Sequence, residues 1–487
     1  MTKAFTLAHT ARGLVRQLAI LAAGLAFSLP AAIQAGAVTP TLLDEGTSLS
    51  DVSSPVIDDT GAVYWLSHQS ELHSSLAGIL ASDPRTVAEA GDWPLLGDIA
   101  DSRRGTILLL GTLMVPRPPP LGGFGHLGAV YLYPGLVRVL YYGSDIPGFP
   151  TPVEPGDLRM GWPEFDSDGT IVFAPLDTSD FHAIHYAIAR ATAAGSVTVL
   201  VESGVTPVPG TAGVPFTLVS DPVVSRGIVL FYGEAASIGR RGVYQLSGGS
   251  LSAVVDNTTV LPGESTPAPI LSKRSVDYAA DGADVVVAIR EKPRSGVFKR
   301  VGGTWTRVAG AGDPIPGGAG DFLDFAEPAI RDGVVVFKGG RNNQFLPPLE
   351  DGFFTDARGT LEAIVTLTDD FGSHHPNSLG GARGGRYFNG SGIAFRATEG
   401  FAWVGAYRIA VPGLETARCG RPVGGGATPR ASDALFVLKA AVGAASCAPC
   451  VCDVDGSGGS APVTASDALR VLKKAVGQSV SFSCAKC

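Results

Sequence analysis

One short pattern returns seven times between residues 48 and 410 and constrains the fold more than any other feature of this 487-residue chain. A proline or small residue precedes an Asp/Asn/Ser-rich turn, then a glycine, then a short apolar strand. The copies are "SPVIDDTGAVYW" (54–65), "DIADSRRGTILLL" (98–110), "WPEFDSDGTIVF" (162–173), "DPVVSRGIVLF" (221–231), "DYAADGADVVV" (277–287), "EPAIRDGVVVF" (327–337) and "YFNGSGIAF" (387–395). Their glycines are Gly61, Gly105, Gly169, Gly227, Gly282, Gly333 and Gly392. Each copy has the physics of a hairpin. Asp, Asn and Gly tolerate positive φ at the turn, and the β-branched residues after it favour extended backbone.

A second strand often follows, opened by glycine, as at Gly128, Gly242, Gly296 and Gly352. A third is visible in "SVTVLV" (196–201), "TWTRVAG" (304–310) and "LEAIVTL" (361–367), and most units close on a Pro-Gly turn. Such a sheet, recurring about every 50 residues, cannot bury both faces alone and must stack on its neighbours. The expected fold class is all-β: a β-propeller of about seven blades over residues 38–413, followed by a small α-helical domain. A pair of β-sandwiches or an irregular β-solenoid is the competing architecture. The units resemble the degenerate P-x-I-x-D-x-G-x-V-x-F repeats of secreted bacterial propeller-like proteins. "DFHAIHYAIARATAAG" (180–195) has helical composition but falls where a blade strand is due, and reads as strand or loop.

Ahead of the repeats, Lys3, Arg12 and Arg16 precede the apolar "LAILAAGLAFSL" (18–29) and the small-residue "AAIQAGA". That order predicts a secretory signal peptide over residues 1–37 rather than a membrane anchor, because the apolar core is short and Pro30 follows it. The chain is therefore expected to be exported to the periplasm, the cell surface or the medium, with no membrane span once the leader is removed. A formal charge of −8 argues against nucleic acid as a partner, since phosphate binding wants a basic face.

Motifs that carry chemistry are scarce. The Gly-x-Gly-x-x-Gly at 123–128, "GFGHLG", follows "PRPPPL" and precedes a strand, so it lacks the strand–helix frame of a dinucleotide site. His182 with His185, and His374 with His375, have no spaced carboxylates or cysteines to complete a metal site. The five tryptophans (Trp65, Trp93, Trp162, Trp305, Trp403) are scattered, which favours packing over a sugar platform. No catalytic constellation emerges, and no catalytic residue is assigned.

The C-terminal segment is different. "PRASDALFVLKAAVG" (429–443) and "VTASDALRVLKKAVG" (463–477) are two copies of one helix. Apolar residues recur at helical spacing (Leu435, Leu438, Val442; Leu469, Leu472, Val476), and a glycine stands at each C-terminus. Thr464 and Asp467 form a Thr-x-x-Asp capping pattern. All six cysteines lie here: Cys419, Cys447, Cys450, Cys452, Cys484 and Cys487. In an exported chain they read as a disulfide-stapled module over residues 414–487. Aligning "CAPC" with "CAKC" pairs Cys419 with Cys447, Cys452 with Cys484 and Cys450 with Cys487. A four-thiolate zinc site is the rival.

The paired loop–helix copies and the Asp-x-Asp-x-Ser-Gly loop resemble a dockerin domain, a pair of calcium-loop–helix units that docks onto a cohesin partner. Calcium loops take oxygen ligands from positions 1, 3, 5, 7 and 12. The resemblance places Asp453, Asp455 and Ser457 at 1, 3 and 5, the Gly459 carbonyl at 7 and Asp467 at 12, with three residues inserted near position 7. It implies one calcium ion, in the second loop only; a plain acidic turn is the alternative. The first loop offers only Asp433. The functional expectation is an exported non-catalytic binding protein, with the propeller facing a carbohydrate or protein ligand and the tail docking to a cohesin-like or cell-surface protein. The alternative is a secreted carbohydrate-active enzyme carrying a dockerin, which needs two converging carboxylates.

Overall fold

The computed structural model of the chain describes residues 40–484 apart from short segments, the longest being 83–93, 117–123, 148–157, 178–184, 342–350 and 456–462. The expected leader lies outside the described residues. Seven antiparallel sheets follow one another; six have four strands, and in five of these the strands run in simple meander order. Taken as blades, they span residues 56–82, 94–141, 158–202, 218–256, 276–310, 324–366 and 378–410. The third blade carries two extra short strands, Leu158–Met160 and Pro175–Asp177. The ambiguous 180–195 stretch supplies a strand, His185–Ala191, as the blade period requires.

The seventh blade is completed by the other end of the chain. Thr41–Gly46 pairs antiparallel with Trp403–Ala410, from Thr41 opposite Arg408 to Gly46 opposite Val404. Its two acids fasten the join: Trp65 Nε1 donates to Asp44 (2.7 Å), and Trp403 Nε1 donates to Glu45 (3.2 Å). Two of the scattered tryptophans thus close the ring.

Stacking buries both faces of the second strands, which is why they read as unbroken apolar runs. Val285 to Ile289 are all at 0% exposure. Between the fifth and sixth blades, Phe322, Phe325, Phe337 and Phe354 interlock fully buried. Each such ring contributes roughly 1.5–3 kcal/mol of burial free energy.

The repeated turn has two structural duties. Its glycine takes a left-handed φ that a β-branched residue would resist, from Gly61 (88°) to Gly333 (76°). In the last copy that conformation falls on Gly390 (87°) rather than Gly392. The polar residue ahead of it reaches the next blade. Asp101 accepts from Phe165 N (2.8 Å), Asp166 from Gly227 N (2.7 Å), Ser225 from Gly282 N (2.9 Å) and Asp281 from Asp332 N (2.9 Å). The acidic turns are therefore blade-to-blade fasteners.

The tail has two helices, Ala431–Ala441 and Ala465–Ala475, closed by left-handed Gly443 and Gly477.

Candidate functional site

The centre of the ring is plugged. After its inner strand, Ser378–Gly380, the seventh blade inserts the loop 381–386, "GARGGR", into the channel. A Cβ on Gly384 would lie 2.2 Å from a Glu164 oxygen, and one on Gly385 would lie 3.0 Å from Ala329 Cα. Glycine is required for that approach. Arg386 is anchored at the base, donating to Glu164 (2.6 Å) and to the Val224 carbonyl (3.0 Å) while sending its own carbonyl to Ile57 N.

Above the plug, where the inner strands of the fourth to sixth blades begin, lies a cavity of about 540 Å³. Its walls alternate in charge. Asp221, Asp277, Asp324, Glu327 and Asp351 face Lys273, Arg290, Lys338 and Arg383. Two of the acids are placed by an unusual backbone. Asp221 (φ 52°) and Glu327 (φ 48°) are left-handed, and both precede a proline, which disfavours helical backbone at the residue before it. Each sits at a β-bulge, between Ser220 and Val223 and between Ala326 and Ala329. Such strain costs about 1–3 kcal/mol per residue and persists only when neighbours over-determine it. The neighbours are Tyr278, whose hydroxyl donates to the Asp221 carbonyl (2.5 Å), and Tyr387, which donates to that of Glu327 (2.5 Å).

The ion pairs of this cavity are loose. Lys273 stands 3.7 Å from Asp221, Arg290 3.7 Å from Asp277, Lys338 3.7 Å from Asp351 and Arg383 4.0 Å from Asp221. All exceed hydrogen-bond distance, whereas Lys299–Asp356 on a blade edge closes to 2.7 Å. Burial pushes the carboxyls of Asp277, Glu327 and Asp351 above the ordinary range, against the pull of Arg290 and Lys338. Glu164 beneath them is pushed up to about 7 by burial, with Arg386 opposing. Glu327 is also held by Gly381 N of the plug (2.7 Å), and Asp277 accepts from Glu327 N (3.3 Å).

None of these residues was singled out by sequence. The readable signals were an acid before proline in two repeats and a glycine-rich insertion in the seventh.

The histidines go to structural partners. His185 meets Glu202 at 3.1 Å. His374 stacks on Trp403 with ring centroids 4.0 Å apart, between Glu45 and Glu399. His182 lies outside the described residues.

In the tail, ligand atoms of Asp453, Asp455 and Asp467 lie within 4.8 Å of one another, with Asp453 and Asp467 buried. Ser457, Gly459 and the inserted residues lie outside the described residues. Asp467 is also the helix cap, accepting from Thr464 N (2.9 Å) and, through its other oxygen, from Val454 N (2.9 Å). Asp433 caps the first helix in the same way, accepting from Arg430 N (2.8 Å).

The disulfides differ from the expected pairing. Cys419 bonds Cys484, and Cys447 bonds Cys452, in place of Cys419–Cys447 and Cys452–Cys484. Aligning the two copies treats them as side-by-side equivalents. In the fold, the segment before the first helix meets the segment after the second, while Cys447 and Cys452 staple the single turn Pro449–Cys452. Zinc bound by both Cys-x-x-Cys pairs is incompatible with these bonds. The Cys450 side chain and Cys487 lie outside the described residues.

The apolar stripe of each tail helix also lands elsewhere than a core. Ala434, Val437, Ala468 and Val471 pack between the helices with Cys452 and Val454. Leu435 (54%), Leu438 (42%), Val442 (71%), Leu469 (52%), Leu472 (41%) and Val476 (67%) face solvent.

Residues 135–377, which carry nearly all of the cavity wall, match a family of unknown function, DUF7453. No curated protein matches the chain. Among solved structures it is similar to a prolyl endopeptidase (14% identity, 76% of this chain and 51% of that one, TM-score 0.41). It is likewise similar to a Trypanosoma rangeli sialidase (9%, 77% and 59%, 0.35) and a Penicillium chrysogenum α-L-arabinanase (10%, 62% and 90%, 0.30). The chain spans about half the length of that prolyl endopeptidase. Likeness at this level carries nothing about chemistry.

Proposed function

We propose that this chain is an exported, non-catalytic adaptor. The plugged propeller holds a polar ligand in the cup at its mouth, and the dockerin-like tail docks to a cohesin-like or cell-surface protein and binds one calcium ion. The observation that carries the reading is the apolar surface of the tail. Six Leu and Val side chains at equivalent positions of two helices are exposed on a module already stapled by disulfides. Large apolar side chains left exposed at helical spacing, one stripe on each helix, favour a protein-binding role for the tail. Disulfides support an oxidising destination, in keeping with the expected leader.

The loose ion pairs support a carbohydrate in the cup. A hydroxyl both donates and accepts, so one sugar hydroxyl satisfies a carboxylate and an ammonium that stand too far apart to satisfy each other. Calcium would sit among Asp453, Asp455 and Asp467 with Ser457 and the Gly459 carbonyl. An Asp at the last position and the inserted residues favour weak affinity, roughly 10⁻⁴–10⁻³ M as in extracellular modules.

Titration of the leaderless chain with purified cohesin domains, in calcium and in chelator, tests the docking. Binding that needs calcium and is lost in Leu435→Asp/Leu469→Asp supports it; binding indifferent to both changes refutes the assigned face. Calorimetry with calcium alone should give one ion, absent in Asp453→Ala.

A carbohydrate-active enzyme is the second reading, favoured by the carboxyls of Asp277, Glu327 and Asp351 held toward protonation in one cavity. Glycosidic cleavage needs such a proton donor beside a second carboxylate. Release of reducing ends from polysaccharide, abolished in Glu327→Gln, would replace the adaptor reading.

A further inference from the structure

The two tryptophans that fasten the closing strand Thr41–Gly46 each carry a histidine on a ring face. His374 stacks on Trp403 with the rings 10° from parallel. His73 stacks on Trp65, at 5.4 Å between centroids and 17°. His374 is also set between two carboxylates. Its Nε2 is 3.5 Å from Glu45 Oε2 on the closing strand, and its Nδ1 is 3.6 Å from Glu399 Oε2 on the seventh blade. The same Glu45 oxygen accepts from Trp403 Nε1. Among the described residues neither carboxylate has another ion-pair partner. The other titratable residues at this point are His375, whose backbone N–H donates to Glu399 (3.4 Å), and Tyr407, within electrostatic reach of Glu45. At the first blade His73 Nε2 meets Glu71 (3.1 Å), and Asp44 of the closing strand accepts from Trp65.

A neutral imidazole has one N–H and one lone pair. It can therefore satisfy only one of two carboxylates placed at opposite ring nitrogens, and it turns its lone pair toward the other. An imidazolium donates to both, and its charge is also favoured over the face of an indole. The surroundings of His374 thus fit the protonated ring and not the neutral one. Imidazole is the side chain that ordinarily changes charge between about pH 5 and 8. We propose that ring closure is a pH-sensitive clasp. Protonated His374 ties the closing strand to the seventh blade through Glu45 and Glu399, with His73 on Trp65 as a weaker second point, and the join loosens as the rings lose their protons. The closed state binds the proton more tightly than the open one, so the stabilisation is present in acid and is lost as pH rises. These groups are partly exposed, which keeps the effect local and modest, about tenfold in the opening equilibrium.

Hydrogen exchange of the leaderless chain, read by mass spectrometry at steps from about pH 5 to 8 and corrected for intrinsic rates, tests this. The protection of Thr41–Gly46, taken relative to Ile228–Ala235 of the fourth blade, should fall about tenfold across that range. In His374→Gln it should be low at every pH, and His73→Gln should lose part of the slope. Glu164→Gln, outside the clasp, should keep the slope of the parent. Tryptophan emission gives a second reading, because an imidazolium stacked on an indole quenches it. Emission should rise with pH in the parent and stay level in the double variant His73→Gln/His374→Gln. A relative protection that is flat or rises with pH in the parent overturns the proposal. So does a slope that survives in the double variant, or one that is lost in Glu164→Gln.

Discussion

The hydroxyl of Tyr387 in the seventh blade donates to the carbonyl of Glu327 in the sixth at 2.5 Å, and in doing so holds an acid in a backbone conformation it would otherwise leave. Tyr278 does the same for Asp221 one pair of blades earlier. Tyr278 stands where other repeats carry proline (Pro55, Pro163, Pro222, Pro328), whereas Tyr387 lies one residue further along its strand. Tyr387→Phe should leave the Glu327 carbonyl short of a partner and cost about 1–3 kcal/mol of stability. Denaturant titration reads the loss directly, and an unchanged midpoint would remove Tyr387 from this role.

Ring closure rests on few contacts. Asp44→Ala should orphan the Trp65 indole N–H and cost about 1–3 kcal/mol. It should also raise protease sensitivity at the seventh blade more than at the fourth. Limited proteolysis with mass mapping distinguishes local opening from a uniform loss.

Four carboxyls around the channel have their pKa raised by burial, Glu164 to about 7. A raised carboxyl pKa means the folded state binds more protons than the unfolded chain between the two pKa values. The contribution of Glu164 therefore falls as pH rises from about 4.5 through about 7, and those of Asp277, Glu327 and Asp351 change in the same direction. The melting temperature should decline across that window, and Glu164→Gln should flatten the decline. A melting temperature that climbs steadily from pH 5 to 8, with Glu164→Gln following the parent, would contradict this assignment.

The two disulfides should differ in worth. Cys419–Cys484 closes a separation of 65 residues and Cys447–Cys452 one of 5. Chain-entropy arguments give about 4 kcal/mol for the first and about 2 for the second. Paired Cys→Ser variants, followed by thermal melting of tail helicity, should rank them in that order.

The propeller was legible because its signal is periodic: one turn chemistry repeated seven times survives the degeneracy of any single copy. The closing strand was not, because "TLLDEG" carries no turn of its own and takes its meaning from Trp65 and Trp403 far along the chain. The cavity acids were hidden for a related reason. Asp221, Asp277 and Glu327 look like ordinary turn-formers until the ring sets three inner strands side by side. In the tail, the helices and caps were readable from local spacing. Helical spacing alone does not say which face is covered, and Leu435, Leu469 and their neighbours prove to be surface. The exchange of disulfide partners is likewise a property of how two helices pack, which cysteine spacing does not encode.

The strand that closes the ring imposes an order on folding. Thr41 emerges first during synthesis, yet its partner Arg408 is made only after every blade between them. Six blades can form behind their own hairpins, each from neighbouring residues, while Thr41–Gly46 waits as an unpaired edge. Closure is thus the most non-local event in the molecule and the step expected to be slow, because loop-closure entropy precedes its reward. Once made, the same join works as a latch, since no blade can peel away without first parting the two ends of the propeller.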